Sequence, residues 1–315
     1  MDVTVVIVTY RAAAFVEHTL RALADQSVQH RLVVIDNAST DGTAELLARM
    51  APPGSVHRMS TNLGFAGGVA AALPLVTTRF LALLNDDAVP QADWLEQLLA
   101  AAHDDALAAA WTSLLVLADQ PDVVNNFGTR LNDKWYGVDV GAGGSASAVP
   151  DRIVDVFGFS GGAVLLRTDA VRAVGGFPAD YFVYYEDLDT SWRLRKSGWQ
   201  IRAVPGARVT HRHAATSDTR SRMFHFYNER NRLLTLLRCA PLHVSVVQTI
   251  RFLLTTASLA IKGLRSMPQA RPANFDPRLR MAVLRSVLTS VPAALAARRP
   301  DRSSPGGVGA GNGHN

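Results

Sequence analysis

The sequence predicts an α/β fold: a mostly parallel, Rossmann-like sheet with helices on both faces, followed by a C-terminal helical extension. Three observations carry this. β-Branched runs alternate with helix-forming stretches through the first hundred residues. Polar residues (Thr9, Asp36, Asn62, Asp87) fall at or just after the ends of the apolar runs, where open α/β sheets gather ligands. Beyond residue 240 the alternation gives way to a long apolar segment in basic surroundings.

In order, Val3 to Thr9 is a β-branched strand and Ala13 to Ala24 a helix. Leu32 to Ile35 is a short strand that stops at Asp36. Asn37-Ala38-Ser39-Thr40-Asp41-Gly42 is turn chemistry, with Asp41 a turn-capping residue. Thr43 to Met50 reads as a helix closed by Pro52-Pro53-Gly54. Val56 to Met59 is the third strand, and Gly64 to Leu75 a Gly/Ala-rich helix. Phe80 to Leu84 is a buried strand running into Asn85-Asp86-Asp87, and Trp94 to Ala102 an amphipathic helix. From about Ala118 to Pro150 the pattern weakens around a flexible Gly141–Ser145 loop. Order returns at Phe159 to Leu166, then a helix from Glu186 to Lys196 and short strands at Ile201–Val204 and Arg208–Thr210. The reading divides the chain into a body (1–240), a basic amphipathic extension (241–300) and a disordered tail (301–315).

The formal charge is +5, unevenly distributed. Arg220 to Arg302 holds fifteen basic and three acidic residues, which leaves the rest of the chain at −7. A basic C-terminal third on an acidic body points to an anionic membrane surface. No aromatic-interleaved basic motif supports nucleic acid. His243 to Leu264 is the longest apolar segment, but Gln248, Arg251, Thr255, Ser258 and Lys262 draw a polar stripe along it. Such a helix lies in an interface or packs on the body rather than spanning a bilayer. A single cysteine, Cys239, excludes a disulfide framework and a cysteine-built zinc site, and fits a reducing cytoplasm. The first residues read as a strand, with no signal-peptide pattern.

Val5-Val6-Ile7-Val8-Thr9-Tyr10 and Val33-Val34-Ile35-Asp36-Asn37-Ala38-Ser39-Thr40-Asp41-Gly42-Thr43 resemble the opening of a family 2 glycosyltransferase. Asn62-Leu63-Gly64-Phe65-Ala66-Gly67-Gly68, Leu83-Leu84-Asn85-Asp86-Asp87 and Tyr185-Glu186-Asp187-Leu188-Asp189 continue the match in order. His211 and Tyr227-Asn228-Glu229-Arg230-Asn231 complete it. The set is most similar to the rhamnosyltransferase-like branch, and it implies a GT-A fold and an inverting mechanism.

The resemblance implies that Asp36 accepts the pyrimidine N3–H, with Thr9 and Tyr10 lining base and ribose. Asn62 and Gly64 line the donor pocket; Ala70 stands where many relatives carry asparagine. Asn85, Asp86 and Asp87 correspond to the metal motif, with Asp87 the direct ligand of Mg²⁺ or Mn²⁺ on the donor diphosphate. Asp86 falls where relatives often have an apolar residue. Asp187 matches the general base that deprotonates the acceptor hydroxyl. Glu186 is its local rival, and Asp189 caps or pairs within the helix. Trp192 and Arg193 match acceptor or phosphate contacts, and for Arg230 phosphate contact and helix packing both stay open. His211 is a further metal ligand, with His213 a competitor.

The expected donor is a nucleotide diphosphate sugar, dTDP-L-rhamnose first and UDP-hexoses next. The expected acceptor is lipid-linked or a polymeric envelope glycan, reached from the cytoplasmic face of the plasma membrane. A dinucleotide oxidoreductase is set aside because Tyr10-Arg11-Ala12-Ala13-Ala14 stands where G-x-G-x-x-G is needed. No Gly-rich, basic loop follows the first strand, so a sugar-phosphate nucleotidyltransferase is set aside too. A nucleotide-sugar-binding protein without catalysis stays open.

Overall fold

The computed structural model describes residues 1–212, 220–265 and 273–298; His213 and the 301–315 tail lie outside them. The body begins as expected from the alternation. β1 (Val3–Thr9), α1 (Val16–Ala24), β2 (Arg31–Asp36), α2 (Thr43–Met50), β3 (Val56–Arg58), α3 (Gly64–Ala72) and β4 (Phe80–Leu84) follow in sequence. β3, β2, β1 and β4 lie side by side in that order and are all parallel. Every residue of β1 and β4 is buried, as strands covered on both faces must be.

Beyond β4 come β5 (Ala88–Pro90), α4 (Trp94–Asp104), β6 (Ala108–Leu117), β7 (Val124–Asn126), β8 (Thr129–Leu131), β9 (Gly137–Asp139), β10 (Val154–Asp155) and β11 (Ala163–Arg167). α5 (Thr168–Ala173), α6 (Glu186–Lys196) and β12 (Gln200–His211) close the body. Here the sheet is mixed: β11 runs antiparallel to both β4 and β6, while β12 returns parallel to β6. The two short strands expected at 201–210 are one strand, with a register shift between Val204 and Arg208 around Pro205-Gly206. A bulge is where a central strand tolerates proline. The weakly patterned 118–150 stretch holds β7 and the β8–β9 hairpin. The Gly141–Ser145 loop is tied to β7 by hydrogen bonds between Val124 and Gly143 and Gly144.

α1, α2 and α4 pack on one face of the sheet, with Val16, Leu20, Leu47, Leu95 and Leu98 over Val5, Ile7 and Leu84. α3, α5 and α6 cover the other through Val69, Val171 and Leu194. Each such buried aliphatic side chain contributes about 1.5–3 kcal/mol.

α7 (Arg222–Cys239), α8 (Leu242–Arg265) and α9 (Pro277–Ala296) form the C-terminal part. Leu233 and Leu234 of α7 share a buried cluster with Phe252 of α8 and with Val283, Leu284 and Val287 of α9. Tyr181, Tyr185 and Leu188 of the body belong to the same cluster, so the extension has no core separate from the body's.

Candidate active site

The site forms at the carboxyl ends of β1, β2 and β4, closed by the N-terminus of α6 and the end of β12. β5 brings its two most distant parts together. The chain turns through Asn85-Asp86-Asp87, and β5 then pairs antiparallel with β12, placing His211 opposite Ala88. His211 Nε2 thereby lies 3.0 Å from Asp87 Oδ1 and 3.2 Å from Asn85 Nδ2. His211 Nδ1 lies 2.8 Å from Asn125 Oδ1. An amide oxygen only accepts, so this contact calls for a proton on Nδ1; when that is the ring's one proton, Nε2 can give its electron pair to a cation shared with Asp87.

Nε2 beside a carboxylate oxygen is a donor set that fits a hard-to-borderline divalent cation. No group of three or more His, Cys, Asp or Glu suited to a metal occurs among the described residues. A metal at Asp87 and His211 therefore needs oxygens from a diphosphate and water to fill its shell.

Asp86 is oriented differently. Burial pushes its carboxyl up to about 6, with a contribution from the Asp87 charge, against the Thr9 hydroxyl and the Tyr10 backbone N–H. Its backbone carbonyl accepts from Thr19 Oγ1 of α1. A cavity of about 260 Å³ opens beside Asp87, lined also by Phe15, His18, Thr210 and Arg212. Arg212 lies over the Phe15 ring, and its backbone N–H donates to the Asp87 carbonyl.

On the β2 side, Asp36 is buried. Its Oδ1 accepts from Ser39 N; its Oδ2 faces Arg58 Nη1 at 3.3 Å without a hydrogen bond. That leaves a buried acceptor at the position the sequence assigns to the base. Thr9, its register partner on β1, is buried, and Tyr10 is exposed. Asp41 accepts from Thr43 and from the backbone of Ala13, the turn-capping role expected of it.

Asn62 Oδ1 is used locally, accepting from Gly64 N. Gly64 serves a close approach: at φ +71°, a Cβ there would collide with the Phe182 carbonyl oxygen. That carbonyl accepts from Ala66 N, which welds the start of α3 to the segment leading into the acid pair.

That segment is strained. Phe182, Tyr184 and Tyr185 all have φ between +64° and +69°, a region that disfavours side chains. Asn231 holds it there, its Nδ2 donating to the carbonyls of Tyr181, Val183 and Tyr184. The strain delivers Glu186 and Asp187 to the first turn of α6. Asp187 Oδ2 accepts from Gly161 N at 3.1 Å and Oδ1 from Leu188 N at 2.7 Å. Burial raises its carboxyl to about 6 despite those two donors, with the Asp139 charge adding. Glu186 is raised well above the carboxylate range by burial and then by Asp187, and its Oε2 has no hydrogen-bond partner. The two halves of the site meet at two glycines: Gly161 N donates to Asp187, while the Gly162 carbonyl accepts from Asn85 N. A Cβ on Gly161 would press on Phe65 at 3.0 Å.

One sequence expectation is corrected, and the structure favours one of two left open. Arg193 is buried in an ion pair with Asp189 at 2.6 Å and donates to the Val174 and Gly176 carbonyls, so it has no reach to a phosphate. Asp189 thus pairs within the helix, as expected. Arg230 is also buried, bridging the Asp180 carbonyl at 3.0 Å and Ser286 Oγ of α9 at 2.9 Å, which decides for helix packing over phosphate contact. Trp192 stacks on Trp135 and meets Phe157 edge-on. Asn125, Arg58, His18 and Arg212 were not singled out from sequence, since none lies in a motif; strand pairing brings in Asn125, Arg58 and Arg212, and the packing of α1 brings in His18.

The sequence matches the family model described as "Glycosyl transferase family 2" over residues 4–123, and "Glycosyl transferase family group 2" over residues 80–290. An N-acetylglucosaminyl-diphospho-decaprenol L-rhamnosyltransferase of Mycobacterium tuberculosis is 27% identical over 251 residues, covering 70% of this chain and 79% of the relative. A pre-mycofactocin glycosyltransferase of the same species is 32% identical over 150 residues, 46% of this chain, and the match spans 30% of that relative's length. Among solved structures, the mannosyltransferase PcManGT of Pyrobaculum calidifontis, in complex with GDP-Man and Mn²⁺, aligns at a TM-score of 0.53 and 18% identity. It covers 94% of this chain and 73% of that one. With the sheet, the strand-end carboxylates and the second family model over two thirds of its length, the chain belongs to glycosyltransferase family 2 and has the GT-A fold.

Proposed function

We propose that the protein is an inverting, metal-dependent transferase that moves L-rhamnose from dTDP-rhamnose to a lipid-linked or cell-envelope glycan acceptor on the cytoplasmic side of the membrane. The observation that supports the mechanism is the Gly161-Gly162 peptide, whose N–H and carbonyl bond Asp187 on one side and, on the other, Asn85, which contacts His211 of the Asp87–His211 pair. The 27%-identical rhamnosyltransferase of lipid-linked N-acetylglucosamine supports the sugar and the acceptor class.

In this reading Asp36 Oδ2 accepts the N3–H of the base, and Thr9 and Tyr10 flank base and ribose. Asp87 and His211 would hold Mg²⁺ or Mn²⁺, with Asn85 and Asn125 orienting the imidazole. The cation, when bound, offsets charge on the departing nucleotide diphosphate. Arg212 and His18 lie on the cavity side of Asp87, where they can meet diphosphate oxygens. Glu186, raised the further of the two acids, holds its proton. Asp187 carries the negative charge and takes the proton of the acceptor hydroxyl as its oxygen attacks the anomeric carbon. Attack opposite the leaving group inverts that carbon. The partly exposed Trp135–Trp192 stack offers an apolar wall for an acceptor sugar.

The test is nucleotide diphosphate release from a panel of sugar nucleotides, with Mg²⁺, Mn²⁺ or chelator, and lipid extract as acceptor source. Metal-dependent release from dTDP-rhamnose alone is expected. Release from a UDP-hexose instead would replace the sugar; silence with measurable nucleotide-sugar binding would favour a non-catalytic binding protein.

A further inference from the structure

α8 is built the wrong way round for water. Val246, Val247, Ile250, Leu253, Leu254 and Ile261 all face out, Leu254 at 66% exposure. At 100° per residue they fall on one arc, with Arg251, Thr255 and Ser258 along its edge. The face turned to the protein carries the hydrogen-bonding groups. Ser245 Oγ donates to the Leu236 carbonyl at 2.7 Å, Gln248 Oε1 accepts from Arg232, and Thr256 Oγ1 accepts from Arg280 Nε at 2.9 Å. Gln248 belongs to the polar stripe read from the sequence, yet it is buried. On the neighbouring α9, Met281, Leu288 and Leu295 are exposed at seven-residue intervals, Leu288 at 69%, with exposed Arg278 and Arg285 bracketing Met281.

Both helices are long and apolar enough to cross a bilayer. Crossing would pull Ser245, Gln248, Thr256 and Arg280 from their partners into hydrocarbon, at several kcal/mol for each unsatisfied group. It would also uncover Leu233 and Leu234 of α7. Lying flat keeps every one of these contacts and hides only the outward apolar arc.

We infer that α8 and α9 together form a docking face that inserts in the plane of an anionic lipid surface, without spanning it. The charge distribution selects the occupant. Arg251, Arg278 and Arg285 stand at the rim, while the acids of the region, Glu229 and Asp276, are paired with Arg232 and Arg222. A second copy of this face would set arginines against arginines; anionic headgroups complement them. The inference deepens the proposed function by naming its membrane contact, and rests on that reading only for its purpose.

The test is co-sedimentation of the full chain with phosphatidylcholine vesicles, with and without phosphatidylglycerol. Binding is expected to require phosphatidylglycerol. Val247→Asp with Leu254→Asp lowers the partition coefficient by about tenfold or more. Arg251→Gln with Arg285→Gln abolishes the preference for anionic vesicles. Circular dichroism and nucleotide binding stay unchanged in both variants, which separates lost docking from lost folding. Equal binding by the Asp variant overturns the inference. So does resistance of the membrane-bound chain to alkaline extraction, the mark of a spanning helix. A dimer that the Asp variant converts to monomer, with no vesicle binding by the native chain, overturns it in favour of a second copy. Vesicle binding with no turnover on any donor would overturn the proposed function alone.

Discussion

At the residue scale, the proposed mechanism gives the neighbours Asp187 and Glu186 opposite tasks. Both carboxyls are raised by burial, but Asp187 receives backbone donors from Gly161 and Leu188 that favour its ionised form, where Glu186 has only its own N–H. Asp187→Asn is therefore expected to keep donor binding and reduce transfer by about 10²–10⁴-fold, the usual share of a general base; calorimetry and product release read the two separately. Glu186→Gln replaces a protonated acid with a neutral near-isostere and should retain most of the rate. Because the base acts deprotonated, the rate should climb as pH rises through about 6 and then level. Stability runs the other way. A folded-state carboxyl raised from 3.8 to about 6 stabilises the fold fully below 3.8, and that contribution is lost as pH rises toward 6. Asn125 acts one bond further out. Asn125→Leu frees the His211 ring, and Mn²⁺ affinity in the presence of a nucleoside diphosphate should fall about 10–100-fold, read by electron paramagnetic resonance.

At the element scale, the acid pair depends on a backbone that would not hold itself. Three non-glycine residues with positive φ precede α6, and one asparagine side chain from α7 spans the carbonyls of Tyr181, Val183 and Tyr184 in the same segment. Asn231→Ala should cost about 2–4 kcal/mol by leaving those carbonyls short of a donor, measured as the shift of the urea midpoint. Gly64→Ala, which drives a methyl into the Phe182 carbonyl, should be comparably damaging. These elements also mark how far the sequence is legible. β1 to β4 could be read because their β-branched and aliphatic runs end at turn residues. β6 could not: Ala108-Ala109-Ala110 has high helix propensity, and only its place between β11 and β12 makes it a strand. The acidic motifs showed themselves as local patterns. Arg58, Asn125 and Arg212 did not, since their roles come from pairing across 22 to 125 residues of chain, as in β5 with β12 and β2 with β3. Arg193 misled, and Arg230 stayed open, because a buried arginine in a helix and one on a ligand look alike in one dimension.

At the scale of the whole molecule, the C-terminal helices are a wall of the catalytic body. Val283, Leu284 and Val287 of α9 pack with Tyr181, Tyr185 and Leu188 around the acid pair, and Arg230 ties Asp180 to Ser286. Deleting the residues after Ala240 is thus expected to yield an aggregating chain rather than a soluble enzyme, as size-exclusion chromatography will show.

Arg298, the last described residue, donates to the Leu237 and Ala240 carbonyls and closes the end of α7. This has a consequence for the timing of biosynthesis. At roughly 5–20 residues per second, the ribosome needs on the order of ten seconds to travel from the acid pair to Arg298. Throughout that interval the nascent chain carries its reactive carboxylates without the wall that positions them. In the proposed mechanism catalytic competence is therefore conferred late, and a message truncated between the acid pair and Arg298 is expected to yield no partially active enzyme to consume the donor pool.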